Sequence, residues 1–218
     1  MKRFLPVLAM GLLAAPALAF PPLGASVGYS ADVVSRRSYD FVAVDDHMPS
    51  FAVSAGTRFA LERGTLDLDL AFTTGGAGAT AHQSLKTGLQ LVTLEVAATY
   101  RYPWLRHLEP YLRVSAGPGW ATLTVNTTGG AVHQTLANAS GTGLLGLSFP
   151  FALSPRGTAT LVLDLGVGYS LRSTYAFNSL MRDPPKHPTG EEVPDVPLSL
   201  GRLDLSGISY RFGVGMRL

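Results

Sequence analysis

Two groups of residues in this chain have the types that do chemistry. The first is a set of charges: Arg58, Arg101, Arg113, Arg172, Arg211 and Arg217 against Asp32, Asp67, Asp69, Glu95 and Asp164. Each sits in a run whose alternate positions are apolar, so all fall on the polar side of a period-two pattern. Charges of both signs gathered on one enclosed face must pair, because stranding a buried ion costs several kcal/mol. Such a set serves as an ion-paired plug or as a gate on an ion path. The second group is the histidines, five in all. His47, His82, His133 and His187 fall one in each of four long connections. If those connections converge, four imidazoles beside Asp45 and Asp46 have the donor types for a divalent metal. No H-x-x-x-H or comparable local spacing accompanies them, so they form a loop cluster without a metal motif.

The elements that must position these residues are strands. Apolar and polar residues alternate over eight segments: 23–33, 51–59, 66–73, 92–101, 112–120, 145–151, 161–170 and 207–218. In the last, Ile208, Tyr210, Phe212, Val214, Met216 and Leu218 share one face, and Arg211 and Arg217 lie on the other with glycines and Ser209. Most segments exceed the roughly five or six residues common in soluble strands and approach the roughly 9–11 needed for a tilted strand to cross a bilayer. Short turns at 62–64, 103–110 and 154–157 alternate with long connections at 35–50, 75–88, 125–138 and 173–203. The last of these carries Pro184, Pro185, Pro188, Pro194 and Pro197. It is expected to be mobile and without regular structure. Pro118 falls inside a strand, where it has no N–H to give; with Gly117 and Gly119 beside it, a local bulge is expected.

Composition bounds the setting. Lys2 and Arg3, an apolar stretch over 4–15 and Ala17-Leu18-Ala19 have the form of a secretory signal peptide. The expected division is therefore a signal peptide at 1–19 and a single barrel domain at 20–218. The chain has 17 Lys+Arg and 15 Asp+Glu. Without Lys2 and Arg3 the balance is 15 against 15, which leaves no basic excess to attract nucleic acid. There is no cysteine, hence no disulfide and no thiolate metal site. Mean hydropathy is +0.22. Only 15% of residues are charged, against about 25% in ordinary soluble domains. Beyond the first residues no stretch is apolar for the roughly 20 residues of a membrane helix. An apolar chain of this kind is explained by strands that are greasy on one face.

Which face meets lipid is decided by three observations. Charge is too scarce to coat a wetted exterior. The polar face is rich in Gly and Ser, which suit a crowded interior. Aromatics gather near strand ends: Phe51, Phe72, Trp120 and Tyr169 at one, Phe59, Tyr100, Tyr102, Trp104 and Phe149 at the other, as membrane barrels place them at the two interfaces. The expected fold is all-β: an eight-stranded antiparallel up-and-down transmembrane β-barrel with the charges inside. An interior of that size is about filled by side chains. This makes an ion-pair network of Arg58, Asp69, Glu95, Arg113, Asp164 and Arg211, acting as a structural plug, the first expectation and a narrow ion-conducting gate the second.

With its Gly-rich strands and terminal alternating strand, the chain resembles the small outer-membrane barrels of the OmpA/OmpX type over essentially its whole mature length. The resemblance implies an outer-membrane location, contact with lipid and lipopolysaccharide, and delivery to the barrel-assembly machinery through the C-terminal strand. Leu218 stands where that family usually ends in an aromatic. For function it implies little. The expectation is a non-enzymatic scaffold, without cofactor, that displays loops, 173–203 above all, to a ligand, partner or surface. A narrow solute or ion pore is the second reading. Lipid A modification is the third: one deacylase type among small barrels carries a His-x-Ser pair, and His82-Gln83-Ser84 has that spacing. It lies early in the chain, and Glu95, the nearest acid of that strand, has the parity of the interior.

Overall fold

Each alternating segment lies on a strand, and within each segment the expected face turns inward. The computed structural model describes residues 22–34, 39–40, 42–43, 45–81, 85–127, 130–153, 159–177 and 201–218. The strands are β1 (Leu23–Val33), β2 (His47–Leu61), β3 (Gly64–Ala81), β4 (Leu85–Arg101), β5 (Glu109–Thr127), β6 (Gly130–Ala152), β7 (Thr160–Arg172), β8 (Tyr175–Phe177), β9 (Gly201–Leu203) and β10 (Gly207–Arg217). Strands β1 to β7 pair antiparallel in chain order. β10 follows β7 and pairs back onto β1, closing an eight-membered ring. At the closure Tyr29 faces Phe212 on β10 and Phe51 on β2. β8 and β9 form a separate hairpin. The proposed signal peptide lies outside the described residues.

Closure removes every free edge, so the backbone hydrogen bonds of the ring are satisfied within it, the condition for β-structure in hydrocarbon. The outside has the matching chemistry. Val27, Val53, Leu70, Val96, Val114, Leu145, Val167 and Phe212, one from each barrel strand, are 46–65% exposed. They belong to one continuous apolar belt, far larger than the few hundred Å² that soluble proteins tolerate. Among the described residues no Asp, Glu, Lys or Arg occupies an outward position between its two aromatic rims. Tyr29, Phe51, Phe72, Trp120 and Tyr169 mark one rim; Phe59, Tyr102, Trp104 and Phe151 mark the other, at the end of the short turns. Tyr29 and Phe51 meet edge to face at 5.4 Å between centroids.

Three elements differ from the reading of the sequence. Residues 75–88 and 125–138 are not long loops. β3 continues to Ala81 and β4 starts at Leu85; β5 continues to Thr127 and β6 starts at Gly130. These extensions escaped notice because the alternation changes phase. On β4 the apolar side chains face outward at Val92, Leu94 and Val96, but inward at Leu89 and Leu91. On β5 the change falls between Trp120, which faces outward, and Ala121, Leu123 and Val125, which face inward. The barrel thus reverses polarity along its axis. Its lower half has an apolar exterior and a charged lumen. Its upper half has an apolar lumen and an exterior of residues such as Gln90, Thr122 and His133, as a barrel standing in water requires.

The second difference is in 173–203. Its two ends are ordered as β8 and β9, with Tyr175 paired to Leu203 and Phe177 to Gly201. The prolines at 184–197 lie outside the described residues. The third concerns Pro118, where no extra residue is inserted. Thr93 faces Gly119 and Val96 faces Ala116 in one unbroken register, and the ladder to β4 merely lapses between those pairs. Gly117 makes that lapse compatible with tight packing: a Cβ there would lie 2.0 Å from the carbonyl oxygen of Leu94, so only glycine allows the backbones to approach so closely.

Candidate functional site

The lumen is the candidate site, and it has two floors. The lower holds most of the charges, delivered from facing strands by the shared inward parity. Arg58 on β2 grips Asp67 on β3 with both ends of its fork, at 2.6 and 2.8 Å. Arg101 on β4 then binds Asp67 through Nε at 2.8 Å and crosses the lumen to Asp164 on β7, at 2.8 and 2.9 Å. Its Nη1 also donates to Ser148 Oγ on β6 at 2.5 Å, and Ser148 in turn donates to Asp164. The Tyr111 ring lies 5.1 Å from the same guanidinium, within cation–π range. Arg113 on β5 donates to Asp69 at 3.0 Å and to Thr99 at 3.1 Å. Planar, two-pronged arginines fit this task because one fork can bridge two carboxylates on different strands.

The six residues named from the sequence are therefore all in the lumen, but they are not one network. Arg113 and Asp69 pair directly. Arg58 and Asp164 are linked only through Asp67 and Arg101, and Arg101 is the hub. Glu95 accepts hydrogen bonds from Ser115 at 2.6 Å and Ser140 at 2.8 Å, with no cation at ion-pair distance among the described residues. Arg211 makes no ion pair or hydrogen bond among the described residues. Parity identifies what faces inward, but not the height or lateral register that decides who reaches whom.

The upper floor is apolar, and sequence reasoning missed it. Tyr39, Val42 and Ala43 of the β1–β2 connection, Tyr175 and Phe177 of β8, Leu203 of β9 and Leu205 beyond it pack against Leu89, Leu91, Leu123 and Val125. Burying each large side chain contributes about 1.5–3 kcal/mol, so the folded-in loops form a cohesive plug. At its base the Arg172 Nη2 to Asp32 ion pair, 2.5 Å long, joins β7 to β1 past β10. Arg172 Nη1 also donates to the Leu205 carbonyl at 3.1 Å, tying the plug to the barrel wall. The signal that could have revealed the plug is the phase change at Leu91-Val92 and Trp120-Ala121.

The plug depends on neutral phenols. Burial pushes the Tyr39 hydroxyl up to about 12, against a smaller opposing pull from Arg172; burial also raises Tyr175. A phenol whose folded pKa is raised contributes stability that is whole below about pH 10 and lost as pH climbs toward about 12. The plug should accordingly loosen over that window while the barrel persists. Absorbance of tyrosinate, followed alongside heat-modifiable gel migration, checks this: a late-titrating class of tyrosines is expected before the barrel unfolds.

The histidines are not brought together where they are described. His47 opens β2 and His133 lies on β6, four places away around the ring. Both face outward and are exposed. His82 and His187 lie outside the described residues, as does His82-Gln83-Ser84. Among the described residues no cluster of three or more His, Cys, Asp or Glu has the geometry of a metal site.

No protein-family model and no curated protein sequence matches the chain. Solved structures do. Ail, the attachment invasion locus protein of Yersinia pestis, is 14% identical, with 91% of this chain and 100% of that one covered and a TM-score of 0.51. A major outer membrane protein from Thermus thermophilus is 14% identical, with 90% and 99% covered and a TM-score of 0.52. The outer membrane protease OmpT from Escherichia coli, at 8% identity, 94% and 98% coverage and a TM-score of 0.45, is too distant to inform fold or chemistry. At such identities the likeness is one of architecture. Ring closure, the apolar belt and these likenesses together give the chain the eight-stranded antiparallel fold of small outer-membrane β-barrel proteins of the OmpA/OmpX type.

Proposed function

We propose that the protein is a non-enzymatic outer-membrane scaffold that holds loops above the bilayer for a ligand, partner or surface, with its short turns on the periplasmic side. The observation that carries this reading is the two-floor lumen. Ion pairs span the lower half from β4 to β7, and the apolar plug fills the upper. A pore needs a continuous wet path, and among the described residues the ion pairs and the plug stand across it. In the same reading the apolar belt is surrounded by lipid and lipopolysaccharide, the alternating terminal strand is what the barrel-assembly machinery engages, and the tall β3–β4 and β5–β6 extensions serve as rigid posts. The segment between β8 and β9 is the display element. Its two ends are clamped by the hairpin and the plug, so its middle can vary without loosening the barrel.

Two measurements test the proposal. Purified protein in planar bilayers should show no stable unitary conductance; a reproducible open level would establish the pore instead. Deletion of residues 183–196 should leave heat-modifiable folding intact, since loop closure changes slowly with length. It should abolish whatever surface adhesion the intact protein confers on cells that carry it. A deletion variant that folds and adheres as before would defeat the display role.

A further inference from the structure

The lower floor contains a cavity of about 60 Å³. Its wall includes Pro22, Leu23, Met216 and Arg217, residues at the turn-end termini of β1 and β10, so it lies at that mouth of the barrel. Five guanidiniums line it, from Arg58, Arg101, Arg113, Arg211 and Arg217, against three carboxylates, from Asp67, Asp69 and Asp164. Glu109 must be added, since it reaches Arg217, though only at 3.4 Å. Glu95 does not line the cavity and is satisfied by two serines. Five cations then stand against four acids, a local excess of one positive charge.

The donors are also incompletely used. Arg58 and Arg101 commit their forks to Asp67 and Asp164. Arg113 is only 6% exposed, yet among the described residues its Nη2 has no partner. Arg217 Nη2 has none either. Arg211 lines the same cavity as Arg113, Asp69 and Asp164, without a hydrogen bond or ion pair among the described residues. Buried donors are almost always satisfied in folded proteins, and a buried guanidinium cannot shed its charge. A cavity of this size has room for about two waters, or for one small anion.

We propose that this cavity is a binding site for one small inorganic anion, of halide or tetrahedral-oxyanion size, entering from the turn end of the barrel. The anion sits among the guanidiniums of Arg113, Arg211 and Arg217 and neutralises the surplus charge, the buried Nη2 groups of Arg113 and Arg217 turning toward it as it enters. The site is independent of what the loops display.

The test is calorimetric titration of the full-length folded barrel, in detergent and gluconate buffer at constant ionic strength, with chloride, sulfate and inorganic phosphate in turn. At least one should bind saturably at one site per chain. Arg211→Gln breaks no ion pair, so it should fold, as gel heat-modifiability reports. It should also weaken that binding roughly tenfold or more, as expected when a charged donor is lost. Arg211→Lys should retain part of the affinity, and Arg106→Gln, on the exposed turn, all of it. As a readout that needs no variant, the same anion should raise the unfolding temperature of the unaltered protein with saturable dependence. Absence of saturable binding by all three anions, or equal binding by Arg211→Gln, would overturn the site and leave the cavity to water.

Discussion

Replacing Arg101 with methionine is expected to destabilise the barrel by about 3–5 kcal/mol, the range for removing one partner of a buried ion pair. The loss falls unevenly. Asp67 keeps the two-pronged grip of Arg58, whereas among the described residues the one hydrogen bond left to Asp164 is that from the Ser148 hydroxyl. The damage is therefore a stranded carboxylate on β7 rather than a general loosening. It follows that Asp164→Asn should be costly by itself but should recover much of the stability when combined with Arg101→Met. Urea unfolding of the folded barrel, carried through as a double-mutant cycle, measures the coupling. Additivity to within about 0.5 kcal/mol would mean that Arg101 is not the hub.

The second large effect tests the reversal of polarity along one strand. Val96 and Gln90 lie on the same outward face of β4, three alternations apart, on either side of the phase change. Val96 sits within the belt and is 65% exposed. Val96→Arg should cost about 2–4 kcal/mol, as for a cation at the bilayer midplane; Gln90→Arg should cost about 0–1, as near an interface. Refolding into lipid vesicles, with unfolding followed by tryptophan fluorescence, gives both numbers. Equal costs at the two sites would show the belt to extend higher than the aromatic rim places it.

Much of this fold is legible in the residues because lipid and lumen demand opposite polarity on a two-residue period. The inward or outward facing of Asp67, Glu95, Asp164 or Phe212 follows from parity alone. Three things are not legible in the same way. Ring register decides that Arg101, not Arg113, reaches Asp164, and parity is silent about register. The strand extensions carry their apolar residues on the opposite face, so a search for one unbroken phase ends at Val92 and Trp120. The plug is assembled from Tyr39, Phe177 and Leu205, far apart in the chain and without periodicity, and only the closed barrel brings them together. Pro118 is the reverse case: a local rule required a bulge, yet the missing donor is absorbed by a two-pair lapse in the ladder.

The phase change on β4 and β5 also acts as a depth gauge. If the barrel sank by one alternation, Gln90 and Thr122 would enter hydrocarbon; if it rose by one, the lower rim around Tyr102 and Trp104 would be pulled off its interface. On β5 the greasy outward run from Leu112 to Trp120 covers nine residues, which at about 3.4 Å per residue and a tilt near 40° spans roughly 20 Å of thickness. The chain thus carries its own ruler for the membrane. A bilayer thicker than the ruler must thin around it, and the posts above keep their height because the anchor below cannot slide.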